Sequence, residues 1–186
     1  MVYFFSILLN TLEKHNIMNL KNIVTDRLLL IPFTKEIVDI ILSGDFTKLI
    51  EIGFHLGKGY PDEETLDTIP KILHNLNLVQ EPTGFESWMI VLKDEMTIIG
   101  DIGFKGKPNH LGAVDIGYGI IDSERKKGYA SEASHGLIKW AFANSEVTLI
   151  TAKCLLENIA SSKILTKLNF NEVGRDNKMI HWELLN

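Results

Sequence analysis

A chain of 186 residues, 45% hydrophobic and 23% charged, has the size and composition of one globular domain with a sizeable core. Its 19 basic residues against 24 acidic ones, a net charge of −5, argue against the broad basic face of a general nucleic-acid or anionic-membrane binder. The single cysteine, Cys154 in LITAKCLL, cannot close an internal disulfide; it reads as a buried core thiol, no metal is expected, and cytoplasm is the default compartment.

The chain opens on MVYFFSILLN, which is almost wholly apolar. A bilayer span needs about 20 such residues, and the basic start and small-residue cleavage site of a signal peptide are missing. Residues 1–20 suit a docking segment on this domain or on a second copy, which would make a homodimer. They equally suit an upstream artefact of a protein whose natural start is Met18. The organisation expected is an extension over 1–23 and one domain over 24–186.

DRLLLIPF (26–33) predicts a short strand closed by Pro32. TKEIVDIILSGD predicts a helix opened by Thr34 and ended at Gly44, with Ile37, Ile40 and Ile41 on one face. Helical pieces are expected from Phe46 to Gln80. One starts near PDEET, where Asp62, Glu63 and Glu64 suit a helix N-terminus, and one is broken or kinked at Pro70. After a turn at PTG (82–84) come closely spaced strands at 87–93, 96–106 and 113–121, the pattern of an antiparallel meander. A helix over about 130–143 carries Ala130, Ala133, Leu137, Ile138 and Ala141 on one stripe. A strand at 146–155, a helix at 161–170 ended by Asn169, and short strands at 171–175 and 179–185 complete the chain.

The segment DSERKKGYASEA lies between a strand and a helix. Arg125, Lys126 and Lys127 thus stand where the helix dipole is already positive, and something negative should offset them. An anion there would be held chiefly by backbone N–H groups. Gly128 permits the close approach, and neither Gly128 nor Tyr129 is among the best side-chain caps, although Ser131 could cap a helix that began later.

RKKGYA (125–130) resembles the acyl-CoA signature of the GNAT N-acetyltransferases: Gln or Arg, two variable residues, Gly, one variable residue, then Gly or Ala. GDIGF (100–104) resembles that family's third strand. VDIGYGI (114–120) resembles its fourth, with Asp115 where many relatives have Glu. ENIASSKILTKLNF (157–170) is similar to its Asn-x-x-Ser helix, with Asn169 replacing a Gly. With TDRLLLIPF, the whole looks like the branch that includes the ribosomal-protein N-terminal acetyltransferases, over about residues 24 to 186 and weakest over 44–85.

The resemblance implies a single α/β domain with a seven-stranded, mostly antiparallel sheet, flanked by helices and splayed between its fourth and fifth strands to admit pantetheine. It implies direct acetyl transfer from acetyl-CoA to a primary amine, either a protein N-terminus or a small amine such as a polyamine, antibiotic or amino acid. The donor would be held by Ile120, Ile121, Arg125, Lys126, Lys127, Gly128, Tyr129 and Ala130, with Asn158 near pantetheine. Gly117 and Gly119 share a face with Asp115 and would let a ligand approach the strand, or else mark a bulge. Asp115 is the first candidate for drawing a proton from the amine and Asp101 the second, although an Asp on a strand is more often a solvated outward residue. Ser161 is the candidate near the departing thiolate, or a helix cap. Many family members carry an acidic tyrosine later in that helix. Leu165 takes its place here, leaving Ser161, Tyr118 or water to serve. A rival reading is a binding module that keeps the acyl-CoA site without turnover.

Some features have plainer readings. GFHLGKG (53–59) has the wrong spacing for a phosphate loop and reads as a flexible loop. His55 and His74 are either substrate contacts or surface residues, His135 is expected to be structural, and Trp88, Trp140 and Trp182 are expected to pack in the core or at its edge.

Overall fold

The computed structural model describes residues 21–186. The readings placed on residues 1–20, including a start at Met18, lie outside them. Strand β1 (Ile23–Val24) leads into β2 (Leu28–Pro32), every residue of which is buried. Helix α1 (Lys35–Ser43) begins where the Thr34 hydroxyl accepts from the Ile37 N–H and ends on Gly44 at φ +71°, so both expected stops are used. A short helix, α2 (Thr47–Glu51), and the two-residue strand β3 (His55–Leu56) follow. The segment read as a flexible loop therefore contains a strand, paired in parallel with Thr97 and Ile98.

Helix α3 (Glu63–Asn77) is capped by Asp62, which accepts from the Thr65 N–H at 2.9 Å. It continues through Pro70, where a break or kink was expected. Ile69, Ile72 and Leu76 are buried on either side of the proline, and this packed face offsets the lost backbone hydrogen bond.

The meander is β4 (Ser87–Leu92), β5 (Thr97–Phe104) and β6 (Ala113–Ile120), antiparallel throughout. A single 3₁₀ turn, Asp122–Glu124, joins β6 to helix α4 (Tyr129–Phe142). Strand β7 (Leu149–Leu155), helix α5 (Ile159–Lys167), β8 (Asn171–Arg175) and β9 (Met179–Leu185) close the fold. Asn169, at φ +65°, follows α5 in the left-handed conformation expected of it.

Among the described residues the sheet has nine strands in the order β1-β2-β4-β5-β6-β7-β9-β8, with β3 beside β5. Seven were expected, and the two additions are the two-residue strands β1 and β3, too short to leave an alternation pattern. The two faces carry different helices. Trp88, Ile102 and Tyr118 are cross-strand neighbours on the face of α4, where Trp140 meets Trp88 edge-on with ring centroids 5.6 Å apart. Met89, Asp101 and Gly119 lie on the opposite face, toward α3.

Candidate active site

Strands β6 and β7 run parallel and pair only from Ala113 with Leu149 to Ile116 with Ala152. Beyond that the strands part, and Gly117–Ile120 have no partner on the β7 side. Into the gap opens a slot of about 240 Å³ lined by residues that include Tyr118, Cys154, Asn158, Ser161 and Leu165. Unpaired parallel strands leave backbone donors and acceptors facing the slot, the arrangement an amide-bearing arm can occupy.

At the end of β6 the chain turns into α4 through Gly128, at φ +87°. Among the described residues no side chain caps this helix, so Ser131 does not compete for its first N–H groups. Those groups and the dipole make a backbone-built anion site.

The chain's own carboxylates answer part of the charge at 125–127. Arg125 pairs with Glu64 at 2.9 Å and Asp122 at 2.8 Å and donates from Nε to the Ile120 carbonyl; Lys127 pairs with Glu124 at 2.9 Å. These pairs are exposed and individually weak, so a phosphate can compete for the cations. Lys126, at φ +64°, is exposed and has no ion pair among the described residues. Ile120 and Ile121 are buried and anchor the turn, while Tyr129 and Ala130 are partly buried in the first turn of α4.

Sequence reading missed Arg27. It donates to the Lys127 carbonyl at 3.0 Å, pairs with Glu132 at 2.7 Å and lies 4.5 Å over the Tyr129 ring. It thereby ties the start of β2 to the turn from a hundred residues away. Nothing local in TDRLLLIPF signals that reach.

On the other side of the sheet a cavity of about 630 Å³ lies between α3 and strands β5 and β6. Asp62, Glu64, His74, Asp101, Gly117 and Gly119 are among its lining residues. The β5–β6 register runs unbroken from Gly100–Ile120 to Phe104–Ile116, which excludes a bulge at the two glycines. A Cβ on Gly117 would meet nothing within 4 Å, so this glycine faces open space.

The two aspartates sit differently. Asp115 pairs with Lys105 through Oδ1 and accepts from the Thr151 hydroxyl at 3.1 Å through Oδ2. It lies in the paired part of β6, and neither the slot nor the cavity includes it. Asp101 is 8% exposed and lines the cavity, and among the described residues no hydrogen bond or ion pair reaches its carboxylate. Burial pushes its pKa up to about 7, with Asp62 and Glu64 adding to the rise. The buried Tyr60 hydroxyl also lacks a partner among the described residues, and burial together with the Asp101 charge raises its pKa.

In the slot, Asn158 caps α5 by accepting from the Ser161 N–H at 2.9 Å. Ser161 is therefore not the cap. Its hydroxyl lies 2.9 Å from the Tyr118 hydroxyl. Leu165 is 1% exposed. Cys154 is buried as expected, and its sulfur accepts from the Trp182 indole at 3.3 Å. Trp88 and Trp182 are core residues, His55 is exposed, and His135, expected to be structural, is exposed on α4.

Residues 27–171 match the acetyltransferase (GNAT) domain. The chain belongs to the GNAT acetyltransferases. It is 34% identical over 158 residues to an uncharacterized N-acetyltransferase of Bacillus subtilis, YjdG, covering 85% of this chain and 94% of the relative. Its fold resembles the Salmonella typhimurium acetyltransferase that modifies the N-terminal serine of ribosomal protein L7/L12. That match has a TM-score of 0.65 at 16% identity over 89% of this chain and 99% of the other. It also resembles RimL, a ribosomal L7/L12 α-N-protein acetyltransferase solved with coenzyme A, with a TM-score of 0.64 at 16% identity over 89% and 98% of the two chains. The protein is thus an N-acetyltransferase by family, with the single mixed sheet-and-helix domain of that fold. No described helix is long and apolar enough to cross a membrane, and no group of three or more His, Cys, Asp or Glu among the described residues is disposed to hold a metal.

Proposed function

We propose that this GNAT enzyme transfers acetyl directly from acetyl-CoA to a primary amine that enters through the 630 Å³ cavity, with Asp101 as the base. The observation that carries the reading is how the two spaces meet. Gly117 and Tyr118 line both the cavity and the slot, so an amine in one reaches a thioester in the other at that point.

The donor's pyrophosphate would lie on the N–H groups at Gly128, Tyr129 and Ala130, with Arg125, Lys126 and Lys127 around it, and its pantetheine would follow Ile120 and Ile121 into the slot toward Asn158. The uncapped helix and the open side of β6 support this. An amine arrives at neutral pH as an ammonium and must lose a proton before it attacks. Asp101 is a buried carboxylate without a counter-ion among the described residues, and its pKa of about 7 is close to what a general base at that pH requires. Asp115, engaged by Lys105 and Thr151, is placed second.

The test is thiol release from acetyl-CoA against small amines and N-terminal peptides. Turnover with any amine supports the enzyme reading, and the panel separates a protein N-terminus from a small acceptor. Acetyl-CoA binding without turnover on every amine would instead support the regulatory binding module.

A further inference from the structure

Acetyl transfer must dispose of two protons: one leaves the amine, and one must reach the departing sulfur. Asp101 faces the amine's side of the sheet and can serve only the first. The second needs a donor in the slot, and helix α5 brings no tyrosine to it, Leu165 filling its wall there. A tyrosine nevertheless stands in the slot, contributed by the strand instead of the helix. Tyr118 points toward α5, lines the wall shared by slot and cavity, and holds its hydroxyl 2.9 Å from Ser161 Oγ.

We propose that Tyr118 is the acid of this enzyme and that Ser161 is its positioning residue; the inference rests on the acetyltransferase reading above. Attack by the amine nitrogen on the thioester carbon forms the C–N bond. As the C–S bond breaks, its electron pair leaves with sulfur, and the Tyr118 hydroxyl gives its proton to that sulfur. The amine's proton passes to Asp101. Asp101 has by then passed the ammonium's first proton to water in the open cavity; it gives this second one to the same water, which returns one to the phenolate, so the sum is acetyl-CoA plus ammonium going to amide, free thiol and one proton released to solvent.

The surroundings fit a group that stays protonated until sulfur needs it. Burial raises the Tyr118 pKa above its usual value, which keeps the phenol neutral through the physiological range. The Ser161 hydrogen bond acts the other way and favours the phenolate. A hydroxyl donating to the phenol oxygen therefore steadies the charge that appears as the proton departs. Because Ser161 works through Tyr118, its removal should matter only while the phenol is present.

The experiment uses the full chain with the amine that gives the fastest thiol release. Tyr118→Phe keeps the ring and should lower kcat by about 10²-fold or more, at the lower end for a positioned acid. Ser161→Ala should lower it less, and the double variant should be no slower than Tyr118→Phe alone. The rise in melting temperature produced by acetyl-CoA should be retained in all three, showing a folded protein with a working donor site. Fluorotyrosine placed at 118, a more acidic phenol, should draw the alkaline limb of the kcat profile to lower pH. Near-normal kcat in Tyr118→Phe overturns the proposal. So does a double variant whose losses multiply with Ser161→Ala the costlier, because Ser161 would then be the acid. If the wild-type protein releases no thiol with any amine, the acetyltransferase reading falls first and this one with it.

Discussion

The turn proposed for the donor and the cavity proposed for the acceptor are built in opposite ways. The turn is one continuous stretch, from Ile120 to Ala130, and its chemistry is carried by backbone: an uncapped helix start and a glycine at φ +87°. The cavity draws side chains from α3, β4, β5 and β6, from Asp62 to Ile120. A backbone-built site binds what every family member binds, whereas a side-chain-built site can change its ligand without changing the fold. That difference makes the donor assignable from a short motif and leaves the acceptor to be found by experiment.

The comparison breaks most sharply at Asp101, a buried cavity carboxylate that no hydrogen bond or ion pair reaches among the described residues. Asp101→Asn should lower kcat/KM by about 10²–10⁴-fold, the range for a positioned general base, while acetyl-CoA binding is unchanged. In the wild type kcat/KM should rise with pH up to about 7 and then level as Asp101 ionises, and the variant should lack that limb. Stability should move the other way. The folded pKa of about 7 lies above the ordinary 3.8, so the stability this group contributes is complete below about pH 4 and is lost as pH rises toward 7. At pH 8 the Asn variant should therefore melt above the wild type, with the gap closing on acidification. Each pH unit between a group's folded and unfolded pKa corresponds to about 1.4 kcal/mol. A variant that is both less stable and less active at pH 8 would mark Asp101 as a structural residue.

The donor side breaks at Gly128. Gly128→Val puts a β-branched residue at φ +87°, a conformation that costs about 1–2 kcal/mol or more for residues with a Cβ, and that Cβ would come within 3.4 Å of Arg27 Nη2. Ligand at about 100 times its Kd stabilises by roughly 2.7 kcal/mol, equivalent to about 5–10 °C for a protein of this size. The variant should lose that gain. A folded Gly128→Val protein that kept it would move the pyrophosphate away from this turn.

The same contrast sets what was legible in the sequence. The meander, the capped α1 and the final β8 and β9 were readable because alternation, caps and turn residues are local signals. Pro70 misled because tertiary burial of Ile69 and Ile72 outweighs a local rule. The two shortest strands were invisible because two residues carry no period. At the site, Gly128 and the cations were legible, while Arg27, whose partners are Glu132 and the Lys127 carbonyl, was not. Of the two aspartates, the sequence put Asp115 first and Asp101 second, although nothing local to either strand shows which carboxylate has a partner. Only the register across β5 and β6 separates the unpartnered one from the one held by Lys105.

That ranking yields the smallest expected effect. Asp115 accepts from Thr151 at 3.1 Å, is ion-paired with Lys105, and lies where β6 and β7 are still joined. Lys105 is 66% exposed and Asp115 23%, so water screens the pair from the lysine end and it is worth about 1 kcal/mol. Asp115→Asn keeps an oxygen for the Thr151 hydroxyl and removes only the charge. Its turnover should stay within about twofold of wild type, since a surface pair of that worth transmits little to a reacting atom it does not touch. Steady-state rates for Asp115→Asn and Asp101→Asn on the same amine measure the contrast directly. A larger loss at Asp115 would reverse the assignment and place the amine nearer the joined part of β6 and β7, with Lys105 then holding the base ionised.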